Sequence, residues 1–267
     1  MSASPWLLYD RLIAGVDRDL VVDDYMVGLG WTWVRSGDRV GVSATQSLPG
    51  RPRTHHGDIR GARLVEVAAL VKSWNLVEAS LGAAAVNCFH NTLEQVEALA
   101  GICKTQLGPA GDGPRVHRNA FQSFADRLTG KKVVVVGHFP RVEEEVGDRC
   151  DLAILERSPS VGDYPDPASE YLIGEADHLF ITGMTLVNKT LPRLLSLAGD
   201  RCLVCLVGPS VPISDVLFDL GVSNISGFCV TDAGRLDDLV RRGTTRGPFD
   251  AGVMVSVNSP SSLGTVA

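Results

Sequence analysis

Five short apolar runs in the second half of the chain leave few folds open to it. They are Lys132 to Gly137 (KVVVVG), Asp151 to Glu156 (DLAILE), His178 to Gly183 (HLFITG), Leu203 to Gly208 (LVCLVG) and Ile225 to Val230 (ISGFCV). A strand with one wet face alternates polar and apolar residues, whereas a strand that is apolar throughout is covered on both faces. Segments with helical spacing fall between the runs, at Ala168 to Ile173, Leu191 to Leu197 and Ser214 to Leu220, and another follows at Gly234 to Arg241. Buried strands alternating with helices predict an α/β unit, a Rossmann-like parallel sheet covered on both faces.

The first third follows different spacing. Met1 to Gly15 reads as a short amphipathic helix, and Val21 to Ser36 as a strand rich in β-branched and aromatic residues. A turn at Ser36 to Asp38 leads into a partner strand, Arg39 to Ala44. Leu64, Val67, Ala68 and Val71 then fall on one helical face. A second helix starts at Asn75, whose side chain is placed to cap it while Glu78 reaches back, and its small residues from Leu81 to Val86 predict close packing. This is a small α+β unit. The chain therefore divides into residues 1–100, a Gly/Pro-rich linker at 101–118, the α/β unit at 119–252, and a Ser/Asn/Pro-rich tail at 253–267 expected on the periphery.

Composition excludes several functions. The 267 residues are 45% hydrophobic and 21% charged, enough apolar matter for a real core. A formal net charge of −6 argues against a general nucleic-acid or anionic-membrane binder. No apolar run approaches a membrane span, and the N-terminus lacks the features of a secretion signal, so the expectation is a cytoplasmic protein. The six cysteines have no regular spacing; Cys202 and Cys205 form a CxxC, but inside a strand-like run, where they read as buried thiols rather than a zinc knuckle.

Ligands of an open parallel sheet sit beyond the carboxyl ends of its strands, where the strand order reverses. With the usual winding, the first and fourth runs are neighbours, so His138 and Ser210 are expected to face each other. Gly137 allows close approach of a ligand to the backbone, but no GxGxxG follows it. Glu156 lies about twenty residues further on, where an acid would hold a ribose. That leaves a nucleotide or S-adenosylmethionine enzyme, a transferase or lyase, as an alternative reading. The densest polar patch, GDYPDP with Glu170 beyond it, offers Asp163, Asp166 and Glu170 as oxygen ligands for a cation, with His138 adding a nitrogen. Asp166 ahead of Pro167 is equally the signature of a helix cap. Thr190 suits the cap of the helix at Leu191. Asn188 and Lys189 fall at the mouth of the crevice, where Lys189 either binds an anionic substrate or is a solvated lysine. His55-His56 is a weak metal signal in what reads as an exposed loop, and no GxSxG, HExxH or P-loop occurs.

Several long phrases taken in order resemble one family. They are SWNLVEASLGAAAVN (Ser73 to Asn87), VVVVGHFP (Val133 to Pro140), ERSPSVGDYPDPASEYL (Glu156 to Leu172), FITGMTLVNKTLPRLL (Phe180 to Leu195) and LVGPSVPIS (Leu206 to Ser214). The chain is similar, from about Ser4 to Gly252, to the heavy-metal-chelation family of bacterial and archaeal proteins. The resemblance implies a domain folded like the N-terminal domain of enolase, then a Rossmann-like domain, with a shared site in the cleft between them. It implies a transition-metal ion or a metal-bearing small ligand there, with His138, Asp163, Asp166 and Glu170 as metal ligands. Around them it places Thr185, Asn188, Lys189 and Ser210, with Asn75 and Glu78 contributed by the first domain. Neither nucleic acid nor membrane is an expected partner, and a homo-oligomer is left open.

Overall fold

A computed structural model describes residues 4–46, 51–100, 105–107 and 120–260. The first part is a three-stranded antiparallel sheet, β1 (Asp24–Val27), β2 (Trp31–Ser36) and β3 (Arg39–Ala44), in that order. The run from Val21 to Ser36, expected as one strand, is broken at Gly28-Leu29-Gly30, which turns the chain back on itself. Gly37 closes the next hairpin with a φ of 58°, a left-handed value that suits glycine in a two-residue turn.

The helix Leu76–His90 lies across this sheet and is buried on nearly all sides. Its small residues serve close approach. A Cβ on Gly82 would stand 1.9 Å from the Val71 nitrogen, and one on Gly41 of β3 would stand 2.0 Å from the Cys88 nitrogen. Asn75 caps the helix, its Oδ1 accepting the Glu78 N–H at 3.1 Å. Glu78 does not reach back as a capping box requires. Its carboxylate instead accepts from the Thr54 and His55 N–H groups and from the Thr54 and Ser73 hydroxyls, pinning a loop to the helix start.

The second sheet has eight strands: β4 (Thr105–Leu107), β5 (Lys132–Val136), β6 (Asp151–Glu156), β7 (Tyr164–Pro165), β8 (His178–Thr182), β9 (Leu203–Val207), β10 (Asn224–Val230) and β11 (Gly252–Asn258). Their order is β4-β11-β10-β9-β8-β5-β6-β7. Strands β5 to β10 run parallel, and β11 and β4 complete one edge antiparallel. The chain winds outward from β5 in one direction to β7, then returns to β8 on the other side of β5.

Two expectations are corrected here. The two-residue strand β7, which carries no hydrophobic signal, takes the place beyond β6 as the third strand of the winding, so the strand on the other side of β5 is β8 (HLFITG) and not β9. The neighbour of His138 across the reversal is therefore the loop after Thr182, not Ser210. The tail after Gly252, expected on the periphery, supplies β11 inside the sheet between β10 and β4. Its alternation of half-buried and buried positions, with Val255 and Val257 inward, is that of an antiparallel strand with one covered face. Most of the expected linker lies outside the described residues; Thr105–Leu107 within it pairs with β11.

Helices Ala120–Leu128 and Val142–Val146 cover one face of the large sheet, where Phe121, Phe124, Val133, Val135, Phe180 and Cys205 pack together. The other face belongs to a single apolar cluster that includes Leu12, Val34 and Ala79 to Val86 as well as Val134, Leu179, Leu206 and Val255. The first part of the chain thus shares its core with the second. Cys202 and Cys205 fall into opposite clusters, as expected of core thiols.

Candidate metal centre

The reversal of winding between β5 and β8 opens a crevice, and the loops that follow β5, β6 and β8 line it. Gly137 leaves β5 with a φ of 98°, and a Cβ there would stand 2.8 Å from the Thr182 side chain, so glycine lets the two loops close on each other. His138 follows, its N–H donated to Glu156 Oε2 at 2.9 Å. Its ring stands between two carboxylates. Nδ1 is 3.0 Å from Asp163, and Nε2 is 3.1 Å from Glu143 Oε1. A neutral imidazole carries one N–H only, so two facing acceptors favour the imidazolium. The hydrogen bond to Asp163 raises the His138 pKa against a smaller opposing effect of desolvation, and the charge of Glu143 adds to the rise. For Asp163, burial pushes its pKa up, but the bonds from His138 and the Ser160 N–H outweigh it and hold the carboxyl below its ordinary value.

His138, Glu143 and Asp163 each offer a ligand atom, and these atoms lie within 4.8 Å of one another. Among the described residues no other group of three His, Cys, Asp or Glu side chains does so. Glu143 is the member that sequence reasoning missed. It sits in the Glu143-Glu144-Glu145 run in the first turn of a short helix, where acids are expected on helix-dipole grounds alone. The one signal for it is its position, five residues beyond His138 and just after the loop that β5 feeds.

Asp166 and Glu170 are not drawn into the group. Glu170 makes a two-pronged ion pair with Arg193 on the surface. Asp166 does not cap a helix; it opens a short 3-10 turn without a side-chain cap bond, and its carboxylate stands 3.9 Å from Arg157.

A pocket of about 300 Å³ adjoins His138. Its walls include Phe139, Glu156, Arg157, Asp166, Thr182, Met184, Thr185, Asn188 and Thr190, with Gln46 reaching in from the first part of the chain. Glu156, placed where an acid would hold a ribose, uses its two oxygens on the main-chain N–H groups of His138 and Arg157, at 2.9 and 2.7 Å. Thr185 donates its hydroxyl to the Thr182 carbonyl, and the Asn188 amide oxygen accepts from both the N–H and the hydroxyl of Thr190. Thr190 is therefore held by Asn188 and makes no cap bond of its own.

The remaining candidates lie elsewhere. Ser210 is buried in the seam between the two parts, where its Oγ accepts the Ala44 N–H at 2.9 Å. Asn75 stays at its helix start, and Glu78 borders a separate pocket with His55 and His56. Lys189 turns away from the crevice. Its ammonium donates to the Val187 carbonyl and stands over the Trp74 ring, and desolvation lowers its pKa to about 8. Lys189 and Arg141 are the two described non-glycine residues with positive φ, at 69° and 65°. They occupy the loops on either side of the reversal, and strained backbone of this kind gathers at functional sites.

A doubly wound sheet with a His-and-carboxylate cluster at its strand ends defines an α/β protein with a metal-competent site. The comparisons with known proteins give the family. A model described as "Putative heavy-metal chelation" (DUF364) matches residues 119–258, and a second of the same description (DUF4213) matches residues 9–89. The chain belongs to this family. It is 37% identical to a DUF364-family protein of unknown function from Desulfitobacterium hafniense, whose crystal structure superposes with a TM-score of 0.85 over 95% of this chain and 98% of that one. A second such crystal structure, from Pyrococcus horikoshii, shares the fold at 18% identity and a TM-score of 0.72, covering 94% and 98% of the two chains. An uncharacterized protein of Methanocaldococcus jannaschii is 26% identical over 236 residues, 84% of this chain and 85% of its own. Among the described residues, no helix is long and apolar enough to cross a membrane.

Proposed function

We propose that this protein binds a divalent first-row transition-metal ion through His138 and the carboxylates of Glu143 and Asp163. The observation that carries the reading is the convergence of the three ligand atoms within 4.8 Å, two from the loop and helix that follow β5 and one from the turn ahead of β7. One imidazole nitrogen with carboxylate oxygens suits borderline and hard divalent ions such as Zn²⁺, Ni²⁺, Co²⁺ or Mn²⁺. It does not suit thiophilic ions. Of the described cysteines, Cys88, Cys202, Cys205 and Cys229 are buried and Cys150 is half-buried; burial raises the Cys150 thiol and pushes Cys88 and Cys202 up to about 12, far from the thiolate form a soft metal requires.

In this reading residues 1–100 and 119–252 act as two domains fused through a shared core, and the site opens where Gln46 of the first reaches the strand ends of the second. Asp166 is a pocket wall and Glu170 a surface ion-pair partner, so neither is a ligand. The test is calorimetric titration of untagged protein with Zn²⁺, Ni²⁺, Co²⁺ and Mn²⁺. His138→Ala and Glu143→Gln should each weaken binding by at least about tenfold, the loss that removing even a residue that only orients a metal ligand commonly causes. Glu170→Gln should leave it unchanged. A folded His138→Ala protein with unaltered affinity would falsify the assignment.

A further inference from the structure

The pocket beside His138 is larger than an ion needs. A metal held by three side chains occupies the few ångströms between their ligand atoms, yet about 300 Å³ lies open beside His138. Its walls say what would fill it. Phe139 and Met184 are apolar, Thr182 and Thr190 bring hydroxyls, and Arg157 brings a guanidinium.

Arg157 is the arginine of the wall, and its guanidinium is held there by one long ion pair, to Asp166. Its main-chain N–H is taken by Glu156, but the guanidinium has no hydrogen bond among the described residues; the nearest carboxylate, Asp166, stays 3.9 Å away. The other acid of the wall, Glu156, is occupied by main-chain N–H groups. A guanidinium in this state presents a flat fork of donors that matches an incoming carboxylate. It also lies at the end of β6, next to the β5 end that carries His138, so one molecule in the pocket meets both residues.

Resting on the metal reading above, we propose that the ion enters this pocket as the complex of a small carboxylate chelator, with His138 on the metal and Arg157 on the chelator's carboxylate. The large pocket then has an occupant, and Arg157 decides which metal complexes are accepted. The first part of the chain, through Gln46, closes the wall behind the organic portion.

Three probes test this on the full-length, untagged chain: Ni²⁺ alone, Ni²⁺–nitrilotriacetate, and Ni²⁺–diethylenetriamine. Nitrilotriacetate leaves two positions on nickel open, for His138 and one carboxylate of the cluster, and keeps outer carboxylate oxygens free to accept hydrogen bonds; diethylenetriamine leaves three open and has no carboxylate. Calorimetry should show Arg157→Met binding Ni²⁺–nitrilotriacetate at least tenfold more weakly than the wild type. Its affinities for Ni²⁺ alone and Ni²⁺–diethylenetriamine should stay within twofold, and Arg157→Lys should recover part of the loss. Arg157→Gln replaces Arg157→Met if the latter does not fold, read in the same way. Equal binding of Ni²⁺–nitrilotriacetate by wild type and Arg157→Met overturns the proposal, as does a wild type that binds Ni²⁺ but refuses the complex. Either result leaves the metal site standing if His138→Ala loses Ni²⁺; an unaffected His138→Ala removes the metal site itself.

Discussion

Two regions of this molecule are built from the same polar residue types and use them in opposite ways. In the seam between the two parts, Asn91 donates to the Val211 and Phe228 carbonyls and accepts the Ile213 N–H, and just inside the first part the buried His90 ring bonds the Leu12 carbonyl. Those partners are backbone groups, and the bonds replace ones that the main chain would otherwise lack. At the strand ends His138 faces side-chain carboxylates instead, and the cluster stays open to solvent on one side. The two histidines show the difference. Desolvation lowers the pKa of His90, whereas the bond to Asp163 raises that of His138. A polar side chain that completes the backbone is structural; one that gathers other polar side chains around an opening is available to a ligand.

The largest effects should come from the buried helix Leu76–His90 and from the seam. Gly82→Ala forces a methyl to within 1.9 Å of the Val71 backbone nitrogen, so it should cost about 4 kcal/mol or more in urea denaturation, or prevent folding. Asn91→Ala leaves three buried backbone groups without their partner and should cost roughly 3 kcal/mol, while the metal affinity of the folded fraction stays that of the wild type. A seam variant that folds yet loses metal would break the comparison.

His138→Ala should do the reverse. Glu143 is exposed and the buried Asp163 carboxylate keeps the Ser160 N–H, so stability should fall by about 1–2 kcal/mol while metal binding is lost. The histidines also differ in pH dependence. Because the folded pKa of His90 lies below its unfolded value, the unfolded chain takes up protons that the folded one refuses. The stability that His90 contributes is thus present above its unfolded pKa of about 6.5 and lost as pH falls through the lower folded value. His90→Gln should flatten the slope of stability against pH between about 7 and 5. An unchanged slope would mean that His90 is not the group refusing protons.

Lys189 gives the smallest effect and the finest test. It carries a left-handed φ and a partly buried ammonium whose pKa is lowered to about 8. Lys189→Gly relieves both, and should stabilise the protein by about 1 kcal/mol near pH 7 after allowing for its partial exposure. The part of that gain due to charge should shrink as pH rises from about 8 toward 10.4, where the buried amine sheds its proton while the unfolded one still holds it. A destabilised Lys189→Gly would place this lysine with the seam rather than with the strained loops of the site.

Much of the fold was legible because burial writes itself into composition. KVVVVG, DLAILE, HLFITG, LVCLVG and ISGFCV are apolar on both faces because helices cover both faces of their sheet. The cap at Asn75 was legible because capping is local, decided within three residues. The part of the candidate site at His138 and Asp163 was legible from loops at the strand ends. Glu143 was not, since one glutamate of three in a helix's first turn looks the same whether it meets solvent or a histidine.

The sequence by itself determined which segments are buried strands, where the helix after Asn75 begins, and that polar loops gather at the strand ends, since hydrophobic periodicity and capping act over a few residues. Only the tertiary structure decided which loops meet. The two-residue β7, too short to leave a hydrophobic trace, shifts the strand count and puts the Thr182 loop, not Ser210, beside His138. The closing strand β11 looks like a polar tail until it is paired. Strand order and side-chain convergence depend on contacts between residues far apart in the chain, and no local pattern of residue types encodes those distances.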